Sequence, residues 1–225
     1  APPALPSDRP FVDVDGSVTW GDPHILDLYR RGIIHGRGNN EFQPTGTLTR
    51  AEFVTMLLRA YGIEPLAGDA KAPFTDLSNE HWAYGYIARA YQLGLVTAHD
   101  FSGEFGKTPE EIELDHRSHP LYSPFGADDP ITRLEMALIV ARALGEGQAE
   151  GQIEGQSEGA TAPEEPQPLN FTDAADISAA YKGFVRIGSE YRVLRGYDDG
   201  SFGPDRHTTR REACVVIYRL IGQAK

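Results

Sequence analysis

The sequence is poor in cysteine, in long apolar runs and in positive charge, and each shortage excludes a class of protein. The single cysteine, Cys214, has no partner in the chain for an internal disulfide. No apolar run reaches the roughly 18 residues that suggest a membrane-spanning helix, so we expect no membrane insertion. Lys and Arg number 21 against 33 Asp and Glu, a net charge of −12. A nucleic-acid-binding surface needs a basic patch, and this balance argues against one.

The motifs of common catalytic and metal sites are also missing. There is no glycine-rich phosphate loop and no serine nucleophile elbow. Asp115, His116 and His119 are candidate metal ligands, but their spacing is short and no further ligand pair follows. The Asp-rich stretches 13–16 and 198–200 lack a full calcium-loop spacing and fit turns better. We therefore expect neither an enzyme, nor a metal site, nor a cofactor.

The chain does contain an internal repeat. Residues from Phe11 onward match those from Phe171 onward at a constant offset of 160, over about forty residues. A middle copy begins at Phe74, loses the register, and resumes it at Phe125. The matches predict repeat 1 (1–63), repeat 2 (73–145) and repeat 3 (170–225), with an insertion at about 98–120 in the loop of repeat 2.

Each repeat is predicted to be a helix, a loop and a second helix. In repeat 1, Asp22-Pro23 is a favourable helix start and Gly32 a favourable helix end. Phe53 and Leu57 belong to an apolar pattern at helical spacing. One such unit cannot bury its apolar face alone, but three packed units can. We predict a mostly α fold of three packed repeats, with a flexible Gly/Glu/Gln/Pro-rich linker at 146–169.

A Thr-Arg-x-Glu motif opens the second helix of every repeat. The Thr and Glu have the spacing of a capping box, at Thr49 and Glu52, Thr132 and Glu135, and Thr209 and Glu212. The arginine falls at the first helical position, where the helix dipole disfavours a cation by roughly 0.3–1 kcal/mol. The three arginines are Arg50, Arg133 and Arg210. We expect each to combine with free N–H groups of the helix start into an anion site.

These features together resemble the S-layer homology family. The likeness rests on Phe-x-Asp, a tryptophan, a Gly-turn-Phe-x-Pro loop and Thr-Arg-x-Glu, and covers nearly all the chain except the linker and the insertion. It implies a pseudo-threefold helical spindle with ligand grooves between adjacent repeats. It also implies a secreted module that anchors a cargo domain or S-layer lattice non-covalently at the bacterial cell surface. The implied partner is a wall-linked secondary polysaccharide, often carrying pyruvylated N-acetylmannosamine.

The resemblance suggests a role for each recurring residue. The arginines would bind the ketal carboxylate with a two-pronged hydrogen bond. Trp20 and Trp82 would offer flat apolar faces to the sugar. The Phe-x-Asp carboxylates would accept sugar hydroxyls or hold the arginines. The remaining glycan-binding candidates are Asp13, Asp76, Asp173, Gly36 and Gly196.

Structural interpretations of the same residues stay open. The arginines can bridge carboxylates across repeats, the tryptophans can be core residues, and the aspartates can be structural. Among the arginines we rank Arg50 first, because repeat 1 is undisturbed and carries Trp20. Arg133 lies near the insertion, and repeat 3 has Ala180 where repeat 1 has its tryptophan. The rival function is a protein-interaction or lattice-forming module that binds no glycan.

Overall fold

The structure is a computed structural model that describes residues 9–14, 20–67, 71–97, 100–101, 124–146 and 169–223. Within these residues it contains six α-helices and no β-strand, which confirms the predicted mostly α fold. The helices are α1 (Asp22–Arg30), α2 (Arg50–Ala60), α3 (Tyr84–Gln92), α4 (Arg133–Glu146), α5 (Ala179–Glu190) and α6 (Arg210–Ile221), with a 3-10 turn at Ala174–Asp176. Most of the predicted insertion, and all but the end residues of the predicted linker, fall outside the described residues.

The first helix of each repeat ends in a left-handed residue. Gly32 after α1 has φ 72° and Gly94 after α3 has φ 71°. Glycine takes this conformation at no steric cost, which is why it commonly follows a helix end. Repeat 3 places Arg192 there, with φ 56°. A side chain beyond glycine makes this conformation unfavourable, so α5 ends less favourably than its two counterparts.

The helices pair across repeats. The first helix of each repeat packs against the second helix of the preceding one, so that α3 lies on α2, α5 on α4, and α1 on α6. The third pairing closes a ring. One apolar cluster runs through all three repeats, and Phe42, Phe125 and Phe202 are fully buried at equivalent positions. The closed arrangement explains how helix pairs too small to be stable alone share one core.

A triangle of hydrogen bonds lies at the centre of the ring. The backbone N–H of Leu48 donates to Thr208 at 3.0 Å, that of Thr208 to Ile131 at 2.9 Å, and that of Ile131 to Leu48 at 2.9 Å. Each residue directly precedes the threonine of its repeat's Thr-Arg-x-Glu motif, and all three are fully buried. The triangle therefore brings the three motif arginines together around one axis.

Candidate binding site

Each second helix begins in a capping box. The hydroxyl of Thr49 accepts the N–H of Glu52 at 3.2 Å, and the Glu52 carboxylate accepts the N–H of Thr49 at 3.0 Å. The same reciprocal bonds join Thr132 to Glu135 and Thr209 to Glu212. Each threonine thus satisfies the third N–H of its helix.

The first two N–H groups of each second helix are also used, so the expectation that they are free is wrong. Arg50 and Ala51 donate to the carbonyls of Asp129 and Ala127 in the loop of repeat 2, both at 3.0 Å. The equivalent groups of α4 and α6 donate to the loops of repeats 3 and 1. A bare helix start, which would attract an anion through its unpaired N–H groups, is absent from these three positions.

Arg210 braces repeat 3 against repeat 1. It is only 5% exposed. Its guanidinium donates to the carbonyls of Phe42 and His35, both at 2.9 Å, and to the Glu52 carboxylate at 3.0 Å. It also stacks over the Phe42 ring at 4.4 Å. These contacts offset the unfavourable placement of a cation at a helix start, because charge-assisted hydrogen bonds exceed the dipole penalty.

Arg50 braces repeat 1 against repeat 2 in a similar way. It makes a two-pronged contact with Glu135, at 2.7 and 3.2 Å, and pairs with Asp129 at 3.1 Å. The ring of Phe101 covers its guanidinium at 4.9 Å. Glu135 is the capping residue of the next repeat, as Glu52 is for Arg210. Two of the three motif arginines are therefore neutralised by a capping glutamate.

Arg133 differs from its two counterparts. It donates to the carbonyls of Phe202 and Arg195, both at 2.7 Å, and lies 4.5 Å from the centre of the Tyr197 ring. The equivalent capping residue, Glu212, instead accepts the Tyr197 hydroxyl at 2.9 Å. Within the described residues, Arg133 forms no ion pair. Its buried charge, 4% exposed, lacks the carboxylate that the other two arginines have.

The Phe-x-Asp carboxylates hold the loops that meet the arginines. Asp13 accepts the N–H groups of Phe42 and Gln43 at 2.8 and 2.7 Å. Asp76 and Asp173 make the same pair of bonds in repeats 2 and 3. The carbonyl of the same phenylalanine receives the arginine of the preceding repeat. Each aspartate therefore positions an acceptor for an arginine without touching that arginine.

Gly36 and Gly196 are required by close packing against the Phe-x-Asp phenylalanine. A Cβ on Gly36 would lie 2.8 Å from the Phe11 ring, and one on Gly196 would lie 2.9 Å from the Phe171 ring. Both approaches are too short for a side chain. Gly36 therefore has a packing role, whereas Gly196 combines that role with a position at the surface of a cleft.

Both tryptophans are exposed, Trp20 by 61% and Trp82 by 58%. Trp20 borders a cleft of about 450 Å³, which we name the Trp20 cleft. Its lining residues are Trp20, Arg133, Leu194, Arg195, Gly196, Tyr197, Asp198, Glu212, Val215, Val216 and Arg219. Because the ring closes α1 onto α6, the tryptophan of repeat 1 faces the loop of repeat 3 and the arginine of repeat 2. Arg50, which we ranked first from the sequence, is not among the lining residues.

Two of the cleft's arginines, Arg195 and Arg219, were not identified from the sequence. Arg219 had a usable signal, because an arginine follows each motif arginine by nine residues, at Arg59, Arg142 and Arg219. Arg195 had none, since the equivalent residue of repeat 1 is His35. Prediction from the motif alone therefore captured only one of three cations in the cleft.

The electrostatics of the cleft favour an anion. Burial lowers the pKa of Arg219, and the neighbouring Arg195 lowers that pKa further. Burial raises the pKa of Tyr197, an effect that Arg133 opposes, so its hydroxyl stays a donor to Glu212 at neutral pH. Three arginines thus meet two carboxylates beside an exposed indole. A ligand with one negative charge and one flat apolar face would complement this lining.

Comparison with known proteins identifies the kind of module that carries the cleft. The model of the S-layer homology domain family matches residues 10–54, 73–105 and 170–214, together more than half of the chain. An endoglucanase from Bacillus sp. (strain KSM-635) is 33% identical over 94% of the chain. The chain belongs to the S-layer homology domain family. The resemblance found in the sequence is confirmed, and membership makes the chain a cell-wall anchoring module.

Other relatives match the S-layer homology module over nearly its whole length. They include an amylopullulanase from Thermoanaerobacterium thermosulfurigenes, 27% identical over 97% of the chain, and cell surface glycoprotein 1 from Acetivibrio thermocellus, 28% identical over 93%. The chain spans 19% of the endoglucanase, 10% of the amylopullulanase and 8% of the glycoprotein. The names of these larger proteins therefore assign no catalytic role to the S-layer homology module. None of its described helices has the length and apolar character needed to cross a bilayer.

Proposed function

We propose that this module attaches its parent protein non-covalently to a bacterial cell wall by binding an anionic secondary polysaccharide in the Trp20 cleft. A pyruvate ketal on an N-acetylmannosamine residue has the required chemistry, since it joins a carboxylate to a compact sugar. The arginines of the cleft supply the positive charge and the indole of Trp20 supplies the apolar face. The protein would then be secreted and held at the cell surface with its cargo or lattice.

The observation that carries the proposal is the uncompensated charge of Arg133. A guanidinium has five N–H donors, and the two carbonyls that Arg133 contacts do not use them all. A buried cation without a carboxylate is unfavourable in the free protein. A ligand carboxylate in the Trp20 cleft would complete the set of partners that Arg50 and Arg210 already possess.

The exposure of Trp20 supports the same site. An indole presents a large apolar face, and tryptophan is enriched where an apolar face and a polar end both find partners. A sugar ring or the pyruvate methyl would cover that face. Glycan contact is thus proposed for Trp20, Arg133 and Gly196. Trp82 is not among the lining residues of the Trp20 cleft, and no glycan contact is proposed for it.

The other sequence candidates are proposed to act through the fold. These are Arg50 and Arg210, with their carboxylate partners, and Asp13, Asp76, Asp173 and Gly36, with their loop contacts. The capping threonines and glutamates belong to this group also. Under this proposal the recurring motifs build the ring. The binding site lies where one motif arginine, Arg133, has no carboxylate of the protein as a partner.

Calorimetric titration with purified pyruvylated wall polysaccharide tests the proposal, and Trp20→Ala with Trp82→Ala forms a matched pair. We expect binding by the wild-type chain, at least a tenfold loss in Trp20→Ala, and a change below twofold in Trp82→Ala. Removing the pyruvyl groups from the polysaccharide should abolish binding. Equal binding with and without pyruvate would contradict the proposed ligand. No glycan binding, together with self-association in sedimentation velocity, would favour the rival lattice-forming module.

A further inference from the structure

The arginine nine residues after the motif arginine takes the same pose in repeats 2 and 3. Arg142 donates to the carbonyl of Leu95 at 3.2 Å, and Arg219 donates to the carbonyl of Val193 at 3.4 Å. Leu95 and Val193 are equivalent, because each follows the left-handed residue that ends the first helix of its repeat. The two guanidinium groups can therefore be compared position by position.

Their remaining partners differ. Arg142 is held by both oxygens of the Asp100 carboxylate, one of them at 2.9 Å from Nη2. Arg219 has no ion pair with any described carboxylate, and it lines the Trp20 cleft. Arg59, their counterpart in repeat 1, donates to the Tyr86 hydroxyl at 3.2 Å and lies over that ring. Of the three equivalent arginines, Arg142 therefore has a carboxylate in place and Arg219 faces the open cleft.

Asp100 is fixed in that position by its own turn. The N–H and the hydroxyl of Thr97 both donate to its carboxylate at 2.7 Å, and its side chain is only 7% exposed. The next residue, Phe101, covers the guanidinium of Arg50. The pair Asp100 and Phe101 therefore presents one carboxylate to Arg142 and one apolar face to Arg50. We name the place where these four residues meet the groove of repeat 2. A carboxylated sugar would present the same two groups to Arg219 and Arg133.

We propose that Asp100 is an internal substitute for the ligand carboxylate, and that Arg219 joins Arg133 in binding this carboxylate in the Trp20 cleft. This inference rests on the proposed function and adds a residue and a stoichiometry to it. The groove of repeat 2 is filled by the protein's own side chains. Because its two arginines are already paired and covered, it takes no glycan. A groove whose second arginine has an internal carboxylate is thus excluded from binding.

The test uses a synthetic methyl glycoside of N-acetylmannosamine with a pyruvate ketal, and its neutral methyl ester as the control ligand. We expect the Arg219→Gln chain to lose at least tenfold in affinity and Arg219→Lys to recover part of it. The matched variant Arg142→Gln should bind within twofold of wild type. The ester should bind wild type and Arg219→Gln with equal, low affinity.

A second experiment tests whether the protein's own side chains fill the groove of repeat 2. Asp100→Ala removes the internal carboxylate and leaves Arg142 in place, so calorimetry should show one more binding site than in wild type. An unchanged number of glycan-binding sites in a folded variant would overturn the proposal that Asp100 takes the place of the ligand carboxylate. Equal losses in Arg219→Gln and Arg142→Gln would overturn the inference while leaving the proposed function intact. A wild-type chain that binds neither ligand would overturn both.

Discussion

The groove of repeat 2 and the Trp20 cleft of repeat 3 are built from equivalent parts but differ in how their charges are satisfied. In the groove of repeat 2, Arg50 of repeat 1 and Arg142 both pair with carboxylates of the protein itself. In the Trp20 cleft, Arg133 of repeat 2 and Arg219 form no ion pair within the described residues. The difference teaches that the recurring motif is chiefly a device for joining repeats. In the proposed function, the ligand binds where this device lacks a carboxylate, at Arg133.

The largest expected effect is on the stability of the fold and concerns Arg210, which has a carboxylate partner where Arg133 has none. Arg210→Ala removes three charge-assisted hydrogen bonds, two of them to the carbonyls of Phe42 and His35, although Glu52 keeps its pair with Arg37. We expect a loss of about 3–5 kcal/mol in the free energy of unfolding. The helix dipole alone would predict a small gain in stability, because it disfavours a cation at this position. Urea unfolding measures the loss, and Arg30→Ala, at an exposed position, is the control. A loss below about 1 kcal/mol would mean that the brace contributes little.

A smaller effect is expected when the cleft loop is released. Asp173→Ala removes two charge-assisted hydrogen bonds to the backbone N–H groups of Phe202 and Gly203. We expect a stability loss of about 1.5–3 kcal/mol. Glycan affinity should fall as well, since the Phe202 carbonyl orients Arg133. Asp13→Ala should cost similar stability but leave affinity per folded molecule unchanged, and equal losses of affinity in both variants would contradict this assignment.

The hydroxyl of Tyr197 offers a finer test of the same comparison. This hydroxyl donates a hydrogen bond to Glu212. Without it, in Tyr197→Phe, the Glu212 carboxylate is free to pair with Arg133 as Glu52 pairs with Arg210. We expect the affinity for pyruvylated polysaccharide to fall by about 1 kcal/mol, the usual scale of one hydrogen bond. Because burial raises the pKa of Tyr197, wild-type affinity should not change through this group between pH 6 and pH 9. Unchanged binding in the variant would show that Glu212 is fixed by its capping bonds alone.

The smallest expected effect concerns a feature peculiar to repeat 3. Arg192→Gly relieves a left-handed arginine but increases the freedom of the unfolded chain. The net gain in stability should be roughly 0.5–1 kcal/mol. A rise in the thermal midpoint, with affinity unchanged, is the expected result. A fall would mean that the Arg192 side chain makes contacts worth more than the strain.

The sequence predicted the ring's parts better than their assembly. The start of α1 at Asp22, its end before Gly32 and the start of α2 at Arg50 follow from proline, glycine and capping patterns. These signals are local, and local backbone chemistry decides them. The site could not be predicted, because Trp20 and Arg133 meet only when the ring closes. The choice of Arg50 as the leading arginine assumed that neighbours in sequence share a groove.

The hydrogen-bond triangle of Leu48, Ile131 and Thr208 also limits how such a module can evolve. Linear solenoids lengthen by adding units and require special end units with a polar outer face. Here every repeat donates one hydrogen bond of the triangle and accepts one, so no repeat is terminal. A fourth repeat could not join without breaking one of the three hydrogen bonds. Copy number is therefore fixed by geometry. The added residues of this chain, at 98–120 and 146–169, lie in the sequence between the three residues of the triangle and leave the number of repeats at three.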